Sequence, residues 1–154
     1  MNIFVLDEDP KISAQLMCDK HVVKMILESA QMLCSAFPQG EAPYRRAFYN
    51  HPCTKWSRES VDNYEWLLAH SWSLLEEYFD RYNKLHKSLD AIEWCEDNYY
   101  SLDLPILGLT PFAQAMPQEY KNENAVLAYQ TYYRNDKKRF AKWTNRTVPV
   151  FMNN

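Results

Sequence analysis

Over most of the chain, apolar residues recur every three or four positions, the period of an α-helix with one buried face. The segment 54–86 places Trp56, Tyr64, Leu67, Leu68, Trp72, Leu75, Phe79 and Tyr82 at such intervals and predicts one long helix. Another long helix is predicted from residue 10 to about residue 36. Asp9 suits an N-cap, Pro10 a first helical position, and FPQGEAP ends the run. Residues 87–97 predict a short helix and residues 122–143 a final one. SLDLPILGLTPFAQAMP, residues 101–117, contains three prolines and a glycine and predicts an ordered apolar loop. NIFVL at residues 2–6 predicts a short strand or extended segment, and TNRTVPVFMNN an extended tail. No repeat or low-complexity tract divides the chain. The expected fold is mainly α: a single compact domain, residues 1–154, of three to five helices with a short extended N-terminus and an ordered Pro-rich loop.

The first long helix carries more charge than its apolar run explains. Successive residues turn by about 100°. With Lys24 as origin, Ser13, Lys20, His21, Glu28, Gln31 and Ser35 fall on one side and form a polar stripe. Val22, Val23, Ile26, Ala30 and Leu33 fall opposite and predict the core face, with Asp19 and Gln15 among them. The stripe fits either a solvated face, with Lys24 and Glu28 as an i,i+4 pair, or the wall of a site. A carboxylate on a core face must be paired or hydrogen-bonded. Asp19 is therefore either a functional acid or a structural ion pair or cap at a helix break near Met17.

Composition narrows the function. Hydrophobic residues make up 47% of the chain, which predicts a globular protein rather than a disordered one. Two glycines, Gly40 and Gly108, leave no glycine loop to cradle phosphates. No apolar run approaches membrane-spanning length, and the acidic start MNIFVLDEDP is unlike a signal peptide. A cytoplasmic protein is expected, with Cys18, Cys34, Cys53 and Cys95 as free thiols. Cys18 with His21 (C-x-x-H) and His51 with Cys53 (H-x-C) could supply four ligands to a zinc ion, but neither half-site has strong zinc spacing, and no metal or other cofactor is expected.

The stripe also carries a resemblance. Lys20, His21, Val22, Lys24, Glu28, Gln31 and Leu33 fit the pattern K-[RH]-[LV]-x-K-x-x-x-E-x-x-Q-x-L, and NHPCTKW resembles an H-P-x-x-x-W element. Together these resemble the pyrimidine-dimer DNA glycosylases of the bacteriophage endonuclease V type, over roughly the first half of the chain. Over nearly its full length the chain resembles a group of small phage proteins with CDKHVVKMILESAQ, NHPC and LTPFAQAMP, a likeness that implies no activity. The glycosylase resemblance implies an all-α, metal-free protein that grips bent DNA and turns a nucleotide out of the stack. It implies that the N-terminal α-amine attacks the sugar carbon and forms a Schiff base, assisted by a glutamate on the first long helix, with basic neighbours on the phosphates. Lys20 and Lys24 match the basic positions. The glutamate position falls on His21, and Asn2 leaves Met1 as the N-terminal residue where the phage enzyme exposes a threonine.

The final predicted helix points to a polyanion independently, although the net charge is −3. Arg134, Lys137, Lys138, Arg139, Lys142 and Arg146 have only Asp136 among them as an acid, and Tyr129, Tyr132, Tyr133, Phe140 and Trp143 interleave. Basic groups neutralise phosphates and rings stack on bases, although the same rings could equally be core. These features favour a phage-type DNA repair or base-processing enzyme, placed in a host cytoplasm, with DNA as partner. Met1, Asp19, His21 and Glu28 are the catalytic candidates, with His21 as general acid–base. Lys20, Lys24, Gln31, Asn50, His51, Trp56 and Arg58 are the substrate-binding candidates. Lys20, His21, Lys24, Glu28 and His51 should converge on an accessible pocket. Two readings stand beside this one: a nucleic-acid-binding protein without chemistry, and a phage factor whose aromatic surface binds a host protein.

Overall fold

The computed structural model describes all 154 residues and contains six α-helices and no strand. They are α1 (Pro10–Leu16), α2 (Asp19–Ser35), α3 (Pro52–Ser57), α4 (Val61–Tyr82), α5 (Leu89–Asn98) and α6 (Ala125–Tyr132). The expected three to five helices become six because both long predicted helices break.

The first break falls at Met17 and Cys18, both extended in backbone and fully buried. Arg81, from α4, holds it open: Nη1 donates to Met17 O at 2.8 Å and Nη2 to Gln15 O at 3.1 Å, satisfying carbonyls that the end of α1 leaves unpaired. The second break falls at residues 58–60. Ser60 begins α4 afresh, its Oγ accepting from Asn63 N–H at 3.1 Å and donating to Gly108 O at 2.8 Å. Asn83, left-handed at φ 53°, closes α4.

Residues 2–6 form no strand. They thread the core as a single extended segment, with Ile3, Phe4, Val5 and Leu6 all buried. With no ladder partner, their backbone groups bond to side chains: Leu6 N–H donates to Ser13 Oγ at 3.0 Å, and Gln130 Nε2 donates to Leu6 O at 3.2 Å. This segment lies over the polar stripe at Ser13, His21 and Glu28, which are buried, while Ser35 is covered at Ala47 and Lys20 and Lys24 stay exposed. Val22, Ile26, Ala30 and Leu33 are core as predicted, but Val23 is exposed, although His86 Nε2 reaches its carbonyl at 3.1 Å.

The loop of residues 102–117 crosses α3 and α4, pinned where Trp56 Nε1 donates to Thr110 O (3.2 Å) and Asn63 Nδ2 to Thr110 Oγ1 (2.7 Å). The last helix is shorter than predicted. After α6 the chain makes a wide π-turn at Tyr133–Lys137 and then runs irregularly. It bends back onto the α1–α2 break, where Trp143 Nε1 donates to Leu16 O at 2.8 Å and Asp19 N–H to Lys142 O at 2.7 Å. A continuous helix would carry Trp143 away from that anchor. No helix is long and apolar enough to cross a membrane. All four cysteines are free and buried.

Candidate active site

Glu28 is the centre of the polar cluster at the chain start. Its Oε1 lies 3.4 Å from the Met1 α-ammonium and accepts from Asn2 N–H at 2.9 Å. Its Oε2 lies 3.7 Å from Lys24 Nζ. Asn2 sets the turn that brings the amine here. Its Oδ1 accepts from Ile3 N–H (2.8 Å) and Phe4 N–H (3.1 Å), a local side-chain turn of the kind asparagine favours. Its Nδ2 donates to Ala115 O at 2.7 Å, tying the chain start to the loop of residues 102–117. That loop is fixed in turn by Tyr129, whose hydroxyl accepts from Ala115 N–H (3.1 Å) and donates to Ala113 O (2.6 Å).

His51 approaches from the N-terminus of α3. Its Nδ1 accepts from Cys53 N–H at 3.1 Å, which leaves Nε2 as the protonated nitrogen of the neutral ring. Burial lowers its pKa; the Met1 ammonium lowers it further and Glu28 opposes both, which places the imidazole within electrostatic reach of the amine and the carboxylate. Behind it, burial pushes the Cys53 thiol up to about 11, so the sulfur remains protonated.

His21 does not join this cluster. Seven residues from Glu28 on the same face, it lies about 10.5 Å away along the helix axis. Its ring stacks on Phe4 with centroids 4.2 Å apart, and its Nδ1 is 2.6 Å from the Tyr133 hydroxyl. Burial, with Lys137 and Lys24 adding repulsion, pushes it down to about 3. A neutral, enclosed imidazole at physiological pH does not fit a general acid–base, and the carboxylate at the amine is Glu28, not the side chain at the position the family pattern aligns with its glutamate. Phe4, buried at a left-handed φ of 56°, is the hinge that turns the N-terminal segment over His21.

Asp19 lies nine residues from Glu28, on the opposite side of α2. Its carboxylate bonds to Arg81 Nη1 (3.0 Å), Thr144 N–H (2.9 Å) and Thr144 Oγ1 (2.7 Å). Burial pushes its pKa up, but these bonds outweigh burial and hold it below the usual range. Arg81 also pairs with Glu77 at 3.0 Å, and Arg146 Nη2 reaches Glu77 at 2.7 Å. Asp19 and Arg146 are thus parts of one partly buried ion network that clamps the helix break. Trp56 is core, set against Trp66 and Phe112. Arg58 donates to Tyr49 O at 2.8 Å and stacks on the Tyr49 ring. Arg134 Nη1 donates to Phe151 O at 3.0 Å. Asn50 is exposed beside His51, and Gln31 is half-buried one turn beyond Glu28. Cys18 lies against Tyr133 and Cys53 behind His51; no group of three or more His, Cys, Asp or Glu is placed to hold a metal ion.

Lys20, Lys24 and Lys137 lie along α2. Lys20 Nζ lies 4.9 Å over the Phe140 ring, and Lys137 Nζ lies 4.7 Å over Tyr132 and 5.7 Å over Phe4. Lys138, Arg139 and Lys142 are exposed and make no ion pair. The basic band therefore runs from the final segment past Lys20 and Lys24 to the amine. None of the four larger hollows of the surface takes in Met1, Glu28 or His51. The largest, about 590 Å³, includes Glu8 and Glu123, carboxylates that repel a polyanion.

Asn2, Phe4 and Tyr129 are the parts of this arrangement that the helical pattern does not single out. The signal for Asn2 is its own residue type, since asparagine two residues before a backbone N–H is a turn former. Tyr129 carries no such signal.

A helical protein that holds a primary amine against a buried carboxylate, with an imidazole beside them and a basic band leading in, has the parts for amine chemistry on an anionic substrate. The pyrimidine dimer DNA glycosylase family matches residues 1–90, and the chain belongs to that family. The matched residues span α1 to the start of α5 and include Met1, Lys20, Lys24, Glu28 and His51. No match to the chain is found among curated proteins, and none among solved structures.

Proposed function

We propose that this protein is a phage-type DNA glycosylase with abasic-site lyase chemistry, acting on a nucleotide turned out of the duplex, with the Met1 α-amine as nucleophile. The observation that carries this reading is the 3.4 Å approach of the amine to Glu28, a carboxylate whose Oε1 is also held by Asn2 N–H at 2.9 Å. A surface salt bridge would not need the chain start folded through the core to reach it.

The chemistry follows from those groups. The free amine attacks C1′ of the damaged nucleotide, and the glycosidic bond breaks with its electron pair leaving on the base, which takes up a proton. The amine nitrogen loses a proton and the C1′–O4′ bond opens, O4′ taking a proton, to leave an iminium between C1′ and nitrogen. Glu28, 3.4 Å from the amine, receives protons from it and takes one from C2′, which expels the 3′-phosphate by elimination. His51, with its proton on Nε2, is the donor beside the amine, and Gln31 and Asn50 offer hydrogen bonds to the displaced nucleotide. Lys20, Lys24, Lys137, Lys138, Arg139 and Lys142 contact phosphates and position the duplex. His21 holds Phe4 and Tyr133 in place and transfers no proton. Asp19, Arg146, Trp56, Arg58 and Arg134 support the fold around this face.

Borohydride reduces an iminium to a stable amine, so the test is to mix the protein with duplex DNA carrying an abasic site and add borohydride. The expected result is a covalent protein–DNA species resistant to denaturation. Salt-sensitive DNA affinity without that species would leave a binding protein that lacks the chemistry; absence of both would favour a host-protein partner.

A further inference from the structure

We infer that Phe48 is a wedge that enters the base stack when the nucleotide is turned out, set in place by the arginine-rich segment that leads into His51. This rests on the reading of the protein as a base-processing enzyme. Turning out a nucleotide leaves a gap, and proteins that unstack DNA fill such gaps with an apolar side chain.

Three features single out Phe48. Its ring is 65% exposed, although most of the protein's aromatic rings are packed. Its backbone is left-handed at φ 51°, a conformation costly to a bulky residue and maintained only where the surroundings impose it. Those surroundings are rigid on both sides. Ala47 N–H donates to Ser35 Oγ at 3.3 Å, and His51 N–H donates to Phe48 O at 3.0 Å. The adjacent Tyr49 ring is clamped between Arg46 at 4.3 Å and Arg58 at 3.8 Å, and Arg46 is itself anchored on Phe37 O at 2.9 Å. An exposed ring on an immobilised, strained turn is preorganised to insert, because little order is lost when it does.

The position fits as well. Ala47, on one side of Phe48, lines a cleft of about 390 Å³ with Gln31, Arg45 and Arg46. His51, on the other side, lies within electrostatic reach of the amine. The same sequence of features runs along α2, where Gln31 at the cleft is one turn from Glu28 at the amine. Phe48 therefore stands at the boundary between a nucleotide-sized cleft and the reacting groups. The guanidinium groups around it suit a phosphate backbone, whereas exposed Tyr100 and Ile106 flank Asp103, which would repel one.

The test compares wild type, Phe48→Ala and Phe48→Trp on two substrates. A duplex with 2-aminopurine beside an abasic site reports unstacking by fluorescence. A single-stranded abasic oligonucleotide reports amine chemistry by borohydride trapping and needs no unstacking. The unstacking signal should require about 5- to 150-fold more Phe48→Ala than wild type, as expected for loss of one ring's stacking on bases. Phe48→Trp should restore it, and single-strand trapping should be the same for all three. Equal unstacking by wild type and Phe48→Ala overturns the wedge and leaves the glycosylase reading standing. Phe48-dependent unstacking with no adduct from any variant supports the wedge and sinks the glycosylase chemistry instead.

Discussion

Acid titration separates a structural His21 from a catalytic one. Burial at 6% exposure, reinforced by Lys137 and Lys24, pushes its pKa in the folded protein from 6.5 down to about 3. Above pH 6.5 neither the folded nor the unfolded chain protonates it, and its contribution to stability is fully present. As pH falls from 6.5 towards 3, the unfolded chain gains a proton that the folded one excludes, so stability is lost. At about 1.36 kcal/mol per unit the full loss approaches ~5 kcal/mol, and by pH 5 it is ~2 kcal/mol. The perturbation is His21→Phe, which keeps a flat ring against Phe4 and leaves the Tyr133 hydroxyl its contacts with Cys18 N–H (3.3 Å) and Sγ (3.5 Å). Urea unfolding at pH 7 and pH 5 measures the effect. The wild-type midpoint should fall more than the variant's by roughly 1 M, taking a slope of about 2 kcal/mol per molar. His70, which burial lowers to about 4, keeps its own share of the acid sensitivity in both proteins, so the difference between them isolates His21. Identical pH dependence in the two, or a His21 ring titrating near 6.5 by NMR, would refute this account and return His21 to the list of proton carriers.

Arg81→Met should destabilise the fold by about 3–5 kcal/mol, because it leaves Glu77 and Asp19 short of a buried cation and the α1 carbonyls unpaired. In a chain of this length that is a fall of roughly 6–20 °C in thermal midpoint by calorimetry. Burial raises the carboxyl of Glu77, but bonds to Arg146 and Arg81 lower it more, and Asp19 is lowered likewise. Their stabilisation is therefore complete above about pH 4.5 and lost as pH drops through their depressed values, and Arg81→Met should flatten that acid limb. Replacing Lys137, Lys138 and Lys142 together by alanine should flatten the slope of log affinity against log salt by up to about 2.7 for any duplex sequence, with the fold intact. An unchanged slope would place the DNA elsewhere.

The hydrophobic pattern carried the helical class, the N-terminus of α1 at Asp9, the ordered loop and most of the core face of α2. It missed the break at residues 58–60, and the break near Met17 entered only as one reading of Asp19, for one reason: what holds each open is distant in sequence. Arg81 satisfies the carbonyls at the end of α1 from 64 and 66 residues away, and Ser60 Oγ donates to Gly108 O from 48 residues away. The same holds for the site. Lys24 and Glu28 were legible as an i,i+4 pair, but the pattern treated the stripe as uniform. An extended segment laid across it buries His21 and Glu28 and leaves the lysines out. Which carboxylate meets the amine depends on the Asn2 turn and its bond to Ala115, 113 residues away, and no periodicity reports that. In the tail, residue type alone could not tell the cations engaged in the fold, Arg134 and Arg146, from the exposed Lys138, Arg139 and Lys142. That distinction came from Phe151 and Glu77.

The central claim is that the Met1 α-amine is the nucleophile and Glu28 its proton acceptor. The most direct measurement is to reduce the protein with borohydride in the presence of abasic duplex DNA, digest the adduct and locate the sugar remnant by mass spectrometry, for wild type and Glu28→Gln. The remnant should lie on the α-nitrogen of Met1. The adduct should form about 10²- to 10⁴-fold more slowly in Glu28→Gln, the range for loss of a general base, with DNA affinity retained. A remnant on the side-chain nitrogen of Lys24 or Lys137, or an undiminished rate in Glu28→Gln, would contradict the claim.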